Sequence, residues 1–189
     1  MNHKSQTKKG FTLLELLIVI AILAVLGAMV IFLLNPAETL RKARDSQRIS
    51  DLGTIKTALG LYLTNVASPD LDGSGALICG TNYWSSAGTS TANYVYTSEA
   101  SSSLVDGNGW IPVNLSALTG GSPISNFPVD PVNTTGTDQI YRYGCSTSPI
   151  GFEVDAKLES TELASSTVKD GGNNSSRYES GTKLNILTN

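Results

Sequence analysis

The N-terminal part of the chain contains one long apolar segment, residues 11–34. It has 24 residues and a single charged side chain, Glu15. As an α-helix with a rise of 1.5 Å per residue it would be about 36 Å long, and this length is sufficient to cross a bilayer. The ten residues before it are polar and basic, and a basic flank favours the cytoplasmic side of a membrane. We therefore expect a single membrane-spanning helix with its N-terminus inside and the rest of the chain outside.

This segment differs from an ordinary secretory signal. Such signals have a shorter apolar core followed by a small-residue cleavage site, whereas this one is long and ends at Asn35 and Pro36 without such a site. Glu15 is a second unusual feature, because a carboxylate inside a membrane segment is costly and normally marks a partner or a function. The alternative is that Glu15, four residues after Phe11, lies at the interface and is solvated.

A second periodic pattern follows Pro36. Proline donates no backbone hydrogen bond and disfavours helix at the residue before it, so we expect a kink or a short break at Asn35. From there to about Val66 apolar side chains recur every three or four positions, which predicts an amphipathic helix with one face on a globular domain. These side chains are Ile49, Leu52, Ile55, Leu59, Tyr62 and Val66.

The first part of this helix is basic, with Arg41, Lys42, Arg44 and Arg48. The simpler interpretation is a solvated face on which these residues pair with Glu38, Asp45 and Asp51. The alternative is a contact with lipid headgroups or with acidic faces of neighbouring subunits.

Beyond about residue 67 the chain is rich in Ser, Thr, Gly and Asn, and short strand candidates alternate with turn signals. The candidates are residues 94–97, 110–115, 139–143, 152–158 and 184–187. The clearest one alternates apolar and charged side chains, which predicts one buried face and one wet face. The apolar side chains are Phe152, Val154, Ala156 and Leu158, and the charged ones are Glu153, Asp155, Lys157 and Glu159. Three or four antiparallel strands laid on the amphipathic helix would bury both apolar faces, so we expect an α+β fold.

Charge and composition exclude several classes of function. The net charge is −3 and becomes −6 without the three lysines of the first ten residues, which argues against a nucleic-acid-binding surface. The single histidine, His3, lies in the same short segment, so the rest of the chain lacks the residue needed for a Ser-His-Asp triad and for most zinc sites. Cys79 and Cys145 both follow the apolar segment, on the side where disulfides form, and we expect them to pair.

Residues 8–34 resemble the leader and first helix of type IV prepilins and type II secretion pseudopilins. The resemblance rests on Lys8-Lys9-Gly10 followed by the apolar run that starts at Phe11 and contains Glu15. It implies that a membrane peptidase cuts after Gly10 and methylates the new amino terminus at Phe11. It also places Glu15 at the acidic position of the family and implies the same α+β fold.

A physical role can be given to each of these positions. Gly10 has no side chain to obstruct the peptidase. Cleavage creates a positive amine at Phe11, and in a bundle of such helices this amine can neutralise Glu15 of a neighbouring subunit. A subunit out of register would leave both charges unpaired, so the pair would set the axial register of a filament.

Two turn-rich segments carry weaker signals. Residues 126–133 resemble the proline-aspartate-proline loop of pseudopilins and related pilins. Residues 170–175 offer oxygen atoms of the kind that calcium prefers, but Gly and Asn also simply form turns, and we favour a plain loop. We predict no catalytic, cofactor-binding or metal-binding residues.

The sequence therefore predicts a structural subunit of a type IV pilus-like filament rather than an enzyme. The expected segments are a leader (1–10), a membrane and filament-core helix (11–34), an amphipathic helix (35–66) and a globular head (67–189). Expected partners are a prepilin peptidase, the assembly machinery, like subunits and, before assembly, the lipid bilayer. The alternatives are a type II secretion pseudopilin and, more distantly, a monomeric membrane-anchored binding module, in which Glu15 and Gly10 would have no purpose.

Overall fold

The computed structural model of the chain describes residues 10–75, 79–80, 83–87 and 102–188, and of residues 31–34 the backbone alone. Helix α1 covers Leu13–Leu34 and helix α2 covers Pro36–Asn65. The strands are β1 (Tyr83–Ser85), β2 (Tyr141–Thr147), β3 (Ile150–Ala156) and β4 (Tyr178–Gly181). They form an antiparallel sheet in chain order. The predicted α+β fold is confirmed.

The predicted break between the two helices is confirmed at Asn35. Its backbone is left-handed, with φ 39°, and this ends α1. The next residue, Pro36, is the first of α2, a position where its missing N–H costs no helical hydrogen bond. The N–H groups of Glu38 and Thr39 donate to the Asn35 carbonyl oxygen at 3.1 and 3.2 Å. Asn35 therefore ends one helix and caps the next.

The chain divides into two compact units, with the boundary between Leu40 and Arg41. In the second unit, apolar side chains of α2 pack with one face of β2 and β3. The predicted stripe on α2 is buried from Leu52 to Tyr62, whereas Ile49 and Val66 at its two ends are only half-buried. The partners from the sheet are Tyr141, Tyr143, Cys145, Phe152, Val154 and Ala156.

Polar ends of buried aromatic side chains tie this core to its surroundings. The Tyr141 hydroxyl donates to Asp51 Oδ2 at 2.8 Å, and the Tyr143 hydroxyl donates to the Leu71 carbonyl oxygen at the same distance. Because a buried polar group without a partner is destabilising, these bonds allow large aromatic rings to fill the core.

The prediction that the second face of β3 is wet is wrong. Glu153 and Asp155 are both fully buried. Asp155 accepts from Arg142 Nε at 2.9 Å and from Arg177 Nε at 2.7 Å. Burying a carboxylate is tolerable when it is paired and hydrogen-bonded, and the alternating pattern of β3 does not show that such partners exist.

Two further strand predictions are wrong. Residues 110–115 form no strand, because Pro112 lacks an N–H and consecutive residues around it, rather than alternate ones, are buried. Residues 184–187 form bends, because the N–H groups of Ile186 and Leu187 bond to the Glu153 carboxylate and not to a strand.

The remaining strand predictions have mixed outcomes. Candidate 152–158 corresponds to β3 shifted by two residues, and candidate 139–143 overlaps the start of β2. Candidate 94–97 lies outside the described residues. Strands β1 and β4 were not predicted, since β1 is three residues long and β4 is mostly polar.

A disulfide joins Cys79 to Cys145, as predicted. Cys145 lies on β2 within the core, and the bond connects this strand to the segment that follows Leu71. The link fixes a loop-rich part of the chain to the sheet.

Gly181 on β4 provides a test of how closely the strands approach. A Cβ at this position would lie 2.9 Å from the Glu153 Cα atom and still closer to the Phe152 carbonyl oxygen. Because backbone atoms cannot move aside as a side chain can, we expect Gly181→Ala to lower the free energy of unfolding by about 1–3 kcal/mol.

The matched control is Gly60→Ala in α2, where a Cβ has no neighbour within 4 Å. It should raise stability by about 0.5–1 kcal/mol, because alanine favours helix. Thermal and denaturant unfolding of the full chain in detergent measures both variants. Equal effects of the two substitutions would contradict the packing described for β4.

Candidate functional site

The junction between leader and helix is open to its surroundings. Gly10 precedes the helix and is exposed, and Phe11 is 81% exposed. Thr12 caps α1, because its Oγ1 accepts from the Glu15 N–H at 3.2 Å. Glu15 lies in the first turn, where a negative charge is favourable beside the unpaired N–H groups of a helix N-terminus.

The side chains of residues 10–30 are all exposed. Among the described residues one helix is long and apolar enough to cross a membrane, and its best window, Leu13–Val30, has a mean hydropathy of 2.9. An apolar surface of this length is unfavourable in water. It requires lipid or other apolar helices around it.

Comparison with protein-family models matches residues 5–31 to the prokaryotic N-terminal methylation motif. The chain therefore carries a type IV pilin or pseudopilin leader. Neither the curated proteins nor the solved structures include a match to this chain. The methylation motif implies processing by a prepilin peptidase and assembly with like subunits, and it points to a structural protein rather than an enzyme.

Beyond the methylation motif, the main polar cluster of the second unit is built around Arg48. The guanidinium of this α2 residue is fully buried. Its Nε and Nη2 donate to the two oxygens of Asp130 at 2.6 and 3.0 Å. Its Nη1 donates to Asp45 at 2.8 Å and to Glu159 at 2.5 Å. Three carboxylates from three parts of the chain thus surround one cation.

The carboxylates of this cluster also bind backbone. Asp45 accepts from the N–H groups of Glu159 and Ser160, with the shortest distance 2.7 Å. Asp130 accepts from the Val132 N–H at 2.8 Å. The cluster therefore holds the loop around Asp130 and the chain after β3 against α2.

The pKa shifts agree with this arrangement. Burial disfavours the charged form of Arg48, but the hydrogen bonds that Arg48 donates to Asp130 and Glu159 outweigh it and raise the Arg48 pKa. The pKa of Glu159 falls to about 2, mainly because of its hydrogen bonds from Arg44, with Arg48 adding to the effect. Arg48 and Glu159 therefore carry their charges at neutral pH.

The predicted solvated basic face is wrong for Arg48, because the helix turns this residue into the domain. Arg44 Nε donates to Glu159 at 2.9 Å, and Lys42 forms an ion pair with Glu162. Lys42, Arg44 and Arg48, which were offered for contact with lipid or neighbouring subunits, are thus engaged within the chain.

A signal for the burial of Arg48 exists in the sequence. The positions 45, 48, 52, 55, 59 and 62 follow one another at spacings of three and four, so the apolar stripe of α2 continues backwards through Asp45 and Arg48. Because Ile49 is apolar, the predicted stripe includes Ile49 instead of Arg48. In the structure Ile49 lies beside the stripe and not on it.

Three aspartates of the second unit, Asp70, Asp130 and Asp138, have separate structural roles. Asp130 binds Arg48, and Asp138 binds Arg177 at 2.8 Å. Asp70 accepts from the Gly73 and Gly75 N–H groups, each at 2.9 Å. These contacts are those of turns and ion pairs, and they bring no two of these three carboxylates together.

One group has the composition of a possible metal site, formed by Asp72, Cys79 and Cys145. Its two sulfur atoms are joined in the disulfide, and a metal requires thiolates. Asp170, in the segment considered for calcium, accepts from the Gly172 and Glu179 N–H groups at 2.9 and 2.7 Å. Its carboxylate therefore has a structural role in forming the turn.

The Arg48 cluster leads to a stability prediction. We expect Arg48→Met to lower the free energy of unfolding by about 3–5 kcal/mol, because it leaves Asp45 and Asp130 charged and buried without their cation. Lys56→Met is the control, since Lys56 is an exposed residue of the same helix and its loss should change stability by less than about 0.5 kcal/mol. Denaturant unfolding measures both, and a loss under about 1 kcal/mol for Arg48→Met would contradict the role given to the cluster.

Proposed function

We propose that this chain is a structural subunit of a type IV pilus-like extracellular filament. The observation that carries the proposal is the exposed apolar helix that directly follows a leader of the pilin type. In this proposal residues 1–10 are removed after Gly10, Phe11 becomes the methylated amino terminus, and α1 is held first by lipid and then by the helices of like subunits.

The proposed topology is N-terminus inside and head outside. Lys4, Lys8 and Lys9 favour the cytoplasm for the leader. The disulfide supports an exported head, because such bonds persist in oxidising compartments. The final location in this proposal is an extracellular filament, with the chain a single-pass membrane protein before assembly.

Glu15 and the new amine at Phe11 carry the proposed assembly step. In lipid, an isolated Glu15 carboxylate is costly. When the Phe11 amine of an adjacent subunit reaches it, the two charges compensate each other, and the subunit gains by leaving the bilayer for the filament. The exposed position of Phe11 and the place of Glu15 in the first turn of α1 support this pairing.

Processing can be tested by expressing the full chain with a prepilin peptidase and measuring the intact mass of the product. We expect the mature chain to start at Phe11 with one added methyl group. Gly10→Val should block cleavage, because a branched side chain obstructs the scissile bond, whereas Gly27→Ala should leave cleavage unchanged. A product that still begins at Met1 would contradict the proposal and favour the anchored binding module.

Assembly can be tested separately with Glu15→Gln, which removes the charge and keeps the shape. We expect normal cleavage and membrane insertion but at least a tenfold loss of chain in sheared surface filaments, because the register-setting pair is gone. Glu162→Gln makes the same chemical change at an exposed residue and should assemble normally. Wild-type protein that is processed but stays within the envelope would favour the secretion pseudopilin, and normal filaments from Glu15→Gln would contradict the role of the pair.

A further inference from the structure

Two buried glutamates meet on the second face of the sheet. Glu153 on β3 is fully buried and Glu179 on β4 is 2% exposed. Glu153 Oε2 accepts from the Ile186 and Leu187 N–H groups at 2.6 and 3.1 Å. Glu179 Oε2 accepts from the Asn174 N–H at 2.7 Å. One oxygen of each carboxyl group thus accepts a hydrogen bond from at least one backbone N–H group.

The other oxygen of each group, Oε1, is buried and has no donor. In the register of β3 and β4, Glu153 lies opposite Gly181 and Asp155 opposite Glu179, so the two glutamates are diagonal neighbours on one face, at a separation where long side chains can form a hydrogen bond. Two ionised carboxylates cannot form such a bond, since both only accept. A single proton between them supplies the missing donor and removes one of two like charges from a buried site.

The pKa of Glu153 supports this geometry. Burial is the largest cause that raises it, the contact with Glu179 is the second, and together they bring it to about 8 although the two backbone N–H groups act in the opposite direction.

The charged residues next to the two glutamates form ion pairs with other carboxylates. Arg142 of β2 and Arg177, the residue before β4, both donate to Asp155 of β3, and Arg177 also donates to Asp138, which lies before β2.

Asp170 and Lys183 are two further charged residues near this face, and both have partners. Asp170 accepts from backbone N–H groups, including that of Glu179. Lys183, in the segment after β4, donates to Ser146 Oγ at 2.8 Å.

The C-terminal segment depends on this site. Ile186 and Leu187 are buried over β2, where Gly144 leaves the space: a Cβ there would lie 2.9 Å from Ile186 Cγ2 and 3.0 Å from Leu187 Cδ2. The N–H groups of both residues bond to one oxygen of Glu153. Any movement of the Glu153 carboxylate therefore acts directly on this segment.

We propose that Glu153 and Glu179 hold one proton between them, and that this proton fastens the C-terminal segment, residues 182–188, over the sheet. Loss of the proton leaves two adjacent buried carboxylates, which repel each other and pull Glu153 away from the two N–H groups. The segment is closed at acidic and neutral pH and opens in alkaline solution.

The sign of the pH effect follows from the two states of the chain. An unfolded glutamate loses its proton near its ordinary pKa, 4.5, whereas the folded pair keeps it to about pH 8. The stabilising effect is complete below 4.5 and is lost as pH rises through about 8. Over this interval the folded state holds one proton more, so the unfolding equilibrium constant should rise about tenfold per pH unit.

The test measures stability and local opening of the full chain between pH 5 and 9, by denaturant unfolding and by hydrogen-exchange protection factors at Ile186 and Leu187. Glu179→Gln supplies a permanent N–H donor to Glu153 and removes the need for the shared proton. We expect the wild type to lose protection at these two amides by about tenfold between pH 7 and 9, and Glu179→Gln to show no such loss. Glu162→Gln, the exposed control, should behave as the wild type.

If Glu179→Gln does not fold, the variant Glu153→Gln provides the same test. Glu153→Gln places the donor on the other side of the pair and should flatten the pH dependence in the same way. Carbon-13 resonances of the glutamate carboxyl groups then report the proton directly: one should titrate near pH 8 in the wild type and none above pH 6 in either variant. Ordinary titration of both glutamates in the wild type, or a pH dependence unchanged in the variants, would overturn the proposal.

Discussion

The globular unit is organised around the burial of one guanidinium. Arg48 lies on the face of α2 that packs into the domain, and its donors reach Asp45, Asp130 and Glu159. An uncompensated cation at this depth would be strongly unfavourable, so the loop that carries Asp130 and the chain that leaves β3 are both constrained to approach the helix. The ion cluster defines how the loops sit on α2, whereas the apolar core provides most of the favourable free energy of folding.

The sheet uses its two faces differently. One face carries the aromatic and aliphatic core, with Tyr141, Phe152 and Val154. The other face is also buried but is polar, with Asp155 between two arginines and Glu153 beside Glu179. In the part of this unit that the structure describes there is one α-helix, too few apolar elements to cover both faces of the sheet. Here loops and the C-terminal segment cover the second face, and their backbone N–H groups require acceptors such as Glu153 and Asp170.

The two units of the chain are subject to different constraints. The methylation motif covers residues 5–31, where a short polar flank precedes an apolar helix and the order of residues is closely defined. In the head, many combinations of side chains can bury a sheet against a helix. This difference accounts for a family match confined to the N-terminus.

The sequence by itself determined the features that depend on neighbouring residues. The apolar segment, the break at Asn35, the buried stripe of α2 and the position of β3 follow from local periodicity and from the backbone chemistry of proline. The disulfide could also be expected, because the chain offers only one pair of cysteines.

Only the tertiary structure decided which charges are buried. Arg48 meets Asp130 across 82 positions of the chain, and Glu153 meets the Ile186 N–H across 33. An alternating strand or a basic helix end has the same local pattern whether its charged side chains face water or a partner. The partner is brought there by the path of the whole chain, and for a buried charge the energy depends on that partner and not on the local sequence.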